Sequence, residues 1–178
     1  RAGNFLPPEP LGRALRLVWY PTVLAWIIHP LVLAFETFDH ALLTPLYRQP
    51  AVQWIAVAVA AVAFGFTLVC WKRMGKSWRM GIDPGEKTQL IVTGPYAYVR
   101  HPIYALSSLM MLGSVAAVPT PLMLIVGVIH VAFLQWEARR EEHYLKLVHG
   151  EAYGSYLSGV GRFLPKLSTA RTSTGAGG

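Results

Sequence analysis

Three stretches of this 178-residue chain contain no Asp, Glu, Lys or Arg: Leu17–Phe35 with 19 residues, Gln49–Trp71 with 23 and Pro102–Trp136 with 35. A water-facing surface cannot be built from such runs, whereas a helix needs about 20 mostly apolar residues to cross a hydrocarbon core of about 30 Å. The first two runs fit one crossing each. The third would be about 52 Å long as a single helix, and it contains Val118-Pro119-Thr120-Pro121, which no helix continues through. It reads as a helical hairpin whose arms are short for a full crossing, which leaves tilt or incomplete spanning open. The expected fold is an all-α integral membrane domain over 1–165 with four transmembrane helices, at about 15–36, 50–71, 102–118 and 121–147. C-terminal amphipathic pieces should close a pocket at one end, and the Ser/Thr/Gly/Ala-rich residues 166–178 read as a disordered tail.

The charges outside these runs set the orientation. Of 16 basic residues, three precede Leu17, one (Arg48) lies between the first two runs, six fall in Lys72–Arg100 and six follow Trp136. The rich segments are both termini and the central loop, so the positive-inside rule puts both termini, and the polar segments that could carry chemistry, in the cytoplasm. The net charge of +7 is then topology and attraction to anionic headgroups, not nucleic-acid binding. The membrane lipid itself is the expected partner, and no obligate protein partner is evident. A charged fraction of 14% with 53% hydrophobic residues also excludes intrinsic disorder. Cys70 stands alone, which excludes an intrachain disulfide or a thiolate zinc site. Arg1–Pro10 reads as an irregular lead-in with no cleavable signal pattern.

Two polar segments face the same side. The first, Lys72–Arg100, is a Gly/Pro-punctuated loop ending in Gly94-Pro95-Tyr96-Ala97-Tyr98-Val99-Arg100-His101-Pro102-Ile103-Tyr104. Pro102 suits the first turn of a helix. Arg100 and His101 then sit at a helix N-terminus on the membrane boundary, a seat for a carboxylate; they could equally only anchor the helix at the headgroups. The second continues the last helix as Trp136-Glu137-Ala138-Arg139-Arg140-Glu141-Glu142-His143-Tyr144. Glu137, Glu141 and Tyr144 share a face. Three carboxylates there require pairing with Arg139 and Arg140, or a cation; the alternative is a solvated helix face with local ion pairs. Other signals fail: Gly159-Val160-Gly161 lacks the third glycine of a dinucleotide loop, there is no Walker or zincin motif, and the histidines show no metal-ligand spacing. No metal is expected. His130, midway along an apolar run, reads as a packed neutral histidine bonded to a neighbouring helix.

The string Val92–Tyr104 resembles the signature of the isoprenylcysteine carboxyl methyltransferase and phospholipid N-methyltransferase superfamily, as do Glu141-Glu142 with Leu145, Gly150, Tyr153 and Tyr156, and the terminal Arg162-Phe163-Leu164-Pro165. Gly75-Lys76-Ser77-Trp78-Arg79 is similar to a loop of small bacterial members. The resemblance covers Met74 to Pro165, about half the chain, and departs at Leu106, where the family has glycine. It implies an integral-membrane methyltransferase that uses S-adenosylmethionine and releases S-adenosylhomocysteine. It further implies cofactor contacts at Gly94, Tyr96, Tyr98, Arg100, His101, Pro102, Tyr104, Glu141 and Glu142. Arg79 and Glu137 are the candidates for catalysis, and Trp78 and Tyr153 for the acceptor. The acceptor would be lipophilic, of the isoprenylcysteine-carboxylate kind or a phospholipid amine, admitted through a lateral gap between helices. A sterol-reductase-like NADPH enzyme and a non-enzymatic tetraspan protein are the other readings.

Overall fold

The computed structural model describes residues 10–35, 40–74 and 90–166. It is helical, and among the described residues the only extended pairing is an isolated parallel bridge between Val99 and Gly161. Four helices follow in order: α1 (Pro10–Phe35), α2 (Pro50–Met74), α3 (Pro102–Ala117) and α4 (Pro121–Gly159), with a short 3-10 turn at Gly94–Ala97 before α3. α1, α2 and α4 are long and apolar enough to cross a membrane. α3, with 16 residues, spans about 24 Å. The tail expected from residue 166 lies, Lys166 apart, outside the described residues.

Helix ends follow the sequence chemistry. Pro102 and Pro121 each open a helix, where a missing N–H costs nothing. Thr120 caps α4 by accepting the Met123 amide at 3.1 Å. α4 differs from the expected 121–147: it continues to Gly159, with a break at Gly150, whose φ of 54° and ψ of −125° are not helical. Only glycine holds that conformation cheaply, so α4 is two helices meeting at a kink.

α3 and α4 form the expected hairpin and occupy the middle. Met111, Met123 and Val126 make the core between them, with Trp26 and Ala25 of α1 against it. α2 lies antiparallel on α3 at close range: a Cβ on Gly113 would stand 2.9 Å from the Ala56 carbonyl oxygen. The last carbonyls of α3 are satisfied from the α2 side, Ala116 by the Tyr47 hydroxyl at 2.6 Å and Ala117 by Gln53 Nε2 at 2.9 Å. At this end of the bundle Leu46 N donates to Pro119 O at 2.7 Å and Leu122 N to Leu42 O at 3.0 Å, tying the 40–49 loop to the hairpin turn.

α1 attaches by polar contacts rather than by depth of burial. His29 Nε2 meets Thr120 Oγ1 at 2.8 Å, Trp26 Nε1 donates to Ser114 Oγ at 2.8 Å and Trp19 Nε1 to His130 Nδ1 at 3.3 Å. Ser107 Oγ lies 2.9 Å from the other ring nitrogen of His130, the bonded packing expected of that histidine. Lipid supplies no hydrophobic drive between helices, so small residues and interhelical hydrogen bonds carry the association. Leu17, Leu24, Ile27 and Leu31 of α1 and Trp54, Ile55 and Phe66 of α2 are exposed, as lipid-facing positions should be. Gly113→Val should wedge α2 off α3 and cost about 1–3 kcal/mol, read as a lowered thermal midpoint in detergent.

Candidate active site

At the end of the bundle opposite the hairpin turn, the kink at Gly150 turns the chain back towards the start of α3. The approach loop is set by Gly94, at φ 63°, where a Cβ would sit 3.0 Å from Arg73 Nη1. The Tyr156 hydroxyl donates to Tyr96 O at 2.6 Å. Arg100 N then donates to Gly161 O at 2.8 Å and His101 N to Arg162 O at 3.0 Å. Gly161 is sterically obligatory, because an added Cβ would lie 1.8 Å from the Leu164 carbonyl oxygen. The C-terminal segment is thereby clasped to the residues that lead into α3.

Glu142 sits inside this clasp. Arg100 Nε and Nη2 donate to its Oε1 at 3.0 and 2.9 Å. Arg162 Nε donates to the same oxygen at 2.9 Å and Arg162 Nη2 to Oε2 at 2.6 Å. Arg100 Nη1 meets the carbonyls of Leu157 and Val160. Burial pushes the Glu142 carboxyl up, but the hydrogen bonds from His101, Arg162 and Arg100 outweigh it and hold the group well below the usual carboxylate range. Arg100 and Glu142, both expected to meet the cofactor, are thus committed to internal partners. The solvated-face alternative does not hold for Glu137 and Glu142, which are 5% and 8% exposed with partners mainly from other elements.

His101, Tyr104 and Glu141 remain beside the clasp. His101 stacks flat on Tyr104 at 5.3 Å and meets Phe163 edge-on. The Tyr104 hydroxyl donates to Glu141 Oε2 at 3.3 Å, and His101 Nδ1 lies 3.6 Å from the same oxygen. Glu141 has 40% of its side chain exposed, more than either Glu137 or Glu142. His101 Nε2, on the other side of the ring, is buried with Glu142 Oε1 3.3 Å away. α3 begins at His101 without a side-chain cap, leaving its first-turn amides available.

One turn towards the membrane, Glu137 Oε1 accepts from Arg16 Nη2 at 3.0 Å and from Arg140 Nη2 at 2.9 Å, while Arg140 lies over the Trp136 ring. Arg16 was not singled out in the sequence; the only trace of it is a cation directly before a charge-free run. The other candidates are dispersed. Tyr98 points outward and is 69% exposed, whereas Tyr153 is 1% exposed with its ring against Tyr156, packed inside rather than offered to an acceptor. Pro102 is buried at the first turn of α3. Trp78 and Arg79 lie outside the described residues. Among the described residues no group of three or more His, Cys, Asp or Glu is placed to hold a metal ion.

The family model described as phospholipid methyltransferase matches residues 52–152. The nickel-cobalt-cadmium resistance protein NccN of Alcaligenes xylosoxydans xylosoxydans is 30% identical over 125 residues, covering 68% of this chain and 56% of that protein. The chain therefore spans about half the length of that relative. The matched segment holds His101, Tyr104, Glu137, Glu141 and Glu142, and ends before Gly161 and Arg162.

The carboxyl of Glu142 is lowered on folding, so its contribution to stability is present above the ordinary carboxylate value of about 4.3 and is lost as pH falls through the lower folded value. The wild-type thermal midpoint should therefore drop progressively below about pH 4, and Glu142→Gln should be less stable at neutral pH with a flatter acid limb. Gly161→Ala should open the clasp; unchanged proteolytic resistance of the C-terminal segment would contradict this.

Proposed function

The chain belongs to the phospholipid methyltransferase family, a family of membrane methyltransferases, and we propose that it moves a methyl group from S-adenosylmethionine to a lipophilic acceptor at the membrane surface. The observation that carries this most directly is the trio His101, Tyr104 and Glu141, in which the His101 ring and the Tyr104 hydroxyl converge on a carboxylate with 40% of its side chain exposed. The cofactor's methionyl end presents a carboxylate and an ammonium. The uncapped first turn of α3, beside His101, suits the carboxylate, and Glu141 suits the ammonium. Tyr104 and Tyr96 offer ring surface. When bound, the cofactor supplies a methyl already activated on a sulfonium.

The residues of the chain then need mainly to hold two partners in line and keep water out. The clasp around Glu142 and the C-terminal segment covers one side of the site. Glu137, held by Arg16 and Arg140 at the membrane edge, is the group placed to orient the acceptor, and to take a proton if that acceptor is an amine. Trp78 and Arg79 stay candidates for the acceptor side, and Arg79 with Glu137 for the catalytic role. An isoprenylcysteine-like carboxylate and a phospholipid amine both fit these demands. The family match favours either over a reductase-like or non-enzymatic reading.

We place all four helices in the membrane, with α3 tilted or partly inserted, and the site on the cytoplasmic side. Arg13, Arg16, Lys72, Arg73 and Arg139 gather at the site's end of the bundle, as the positive-inside rule asks. Calorimetric titration tests the reading. Folded, detergent-solubilised protein should bind S-adenosylhomocysteine and not NADPH; no heat with the former overturns it. His101→Ala and Glu141→Ala should each weaken binding at least about tenfold, or ~1.4 kcal/mol. Labelled S-adenosylmethionine offered with membrane extracts should then identify the acceptor by the lipid fraction that takes up the label.

A further inference from the structure

Arg162 lies outside the segment matched by the family model, which ends at residue 152, yet it makes the shortest contact of the Glu142 cluster. Glu142 Oε1 has three guanidinium donors, two from Arg100 and one from Arg162. Oε2 has one among the described residues, Arg162 Nη2 at 2.6 Å. Arg162 therefore decides whether Glu142 keeps a free oxygen. The Arg100 side chain is 8% exposed and that of Arg162 31%, so Arg100 is the fixed half of the clamp and Arg162 the half reachable from outside. The backbone at Arg162 accepts the His101 amide, and the adjacent Phe163 ring packs edge-on against the His101 ring. His101 is 7% exposed beneath these contacts.

We propose that Arg162 is a positioning residue of the cofactor site: by saturating Glu142 it withdraws that carboxylate from ligand binding and keeps the C-terminal segment closed over His101. Arg162 thus acts on the cofactor through Glu142 and not by touching it. This rests on the methyltransferase reading, since it concerns the pocket in which His101 and Glu141 would hold the cofactor. A bidentate arginine suits the task, because two parallel bonds fix the orientation of the carboxylate as well as its charge.

The test is a double-mutant cycle on S-adenosylhomocysteine binding, with equilibrium and dissociation rate both measured. Arg162→Met should weaken binding about tenfold, chiefly through faster dissociation, and Arg162→Lys should recover most of the loss. Because both residues act as one unit, Arg162→Met made in a Glu142→Gln background should add less than a threefold further loss. Wild-type affinity and dissociation rate in Arg162→Met would overturn the proposal, as would a double variant that loses the full product of the two single effects. Should the methionine variant fail to fold, hydrogen exchange on the wild type decides: S-adenosylhomocysteine should slow the Arg100 and His101 amides, and unchanged exchange overturns the proposal. Absence of binding by the wild type sinks the methyltransferase reading along with it, whereas normal wild-type binding with unaffected variants removes this inference alone.

Discussion

A carboxylate removed from water costs several kcal/mol unless cations and donors replace the lost hydration. Glu142 meets that requirement with guanidiniums 42 residues before it and 20 after it in the chain. Satisfying one anion therefore draws the start of α3, the far half of α4 and the C-terminal segment to a single point. The kink at Gly150 and the bare backbone at Gly161 make the approach geometrically possible. The anion acts together with the Tyr156–Tyr96 bond and the backbone bonds at Gly161 and Arg162 to turn the chain back at Gly150.

The same demand recurs within the bundle in a milder form. α1 carries Arg16, Trp19, Trp26 and His29 on one face, and each meets a polar partner on α3 or α4. Every donor on that face is a group that lipid would leave unsatisfied. The row runs from the hairpin turn to Glu137, so the registration of α1 is linked to the membrane edge of the site. α2 uses different physics: closeness of backbone at Gly113 and Ala56, with side chains capping the end of α3.

Much of this was legible in the sequence, and the reason is that lipid punishes charge within a short span of residues. Charge-free runs located the helices, and Val118-Pro119-Thr120-Pro121 located the hairpin turn within a residue. Pro102 at a helix start and a bonded His130 were readable from local rules. The Gly94–Tyr104 and Glu141-Glu142 elements, far apart in the chain, meet at one end of the bundle. What could not be read were pairings at long separation: nothing near Glu142 says that Arg100 and Arg162 take it, and nothing near Glu137 names Arg16. Spacing put the carboxylates on a helix face, but whether that face met water or guanidinium depended on segments that only the fold brings together. The burial of Tyr153 against Tyr156 was hidden for the same reason, since an aromatic at that interval looks alike whether it faces outward or another tyrosine.

The Arg16–Glu137 contact bears on where this molecule could be divided. Arg16 stands before the matched segment and Arg162 after it, so excising residues 52–152 would remove one guanidinium from each of two carboxylates in one cut. Glu137 would keep Arg140 and Glu142 would keep Arg100, so each would be left with one of its two guanidiniums. The ion pairing of the fold therefore reaches beyond the portion that sequence relationship picks out, on both of its flanks.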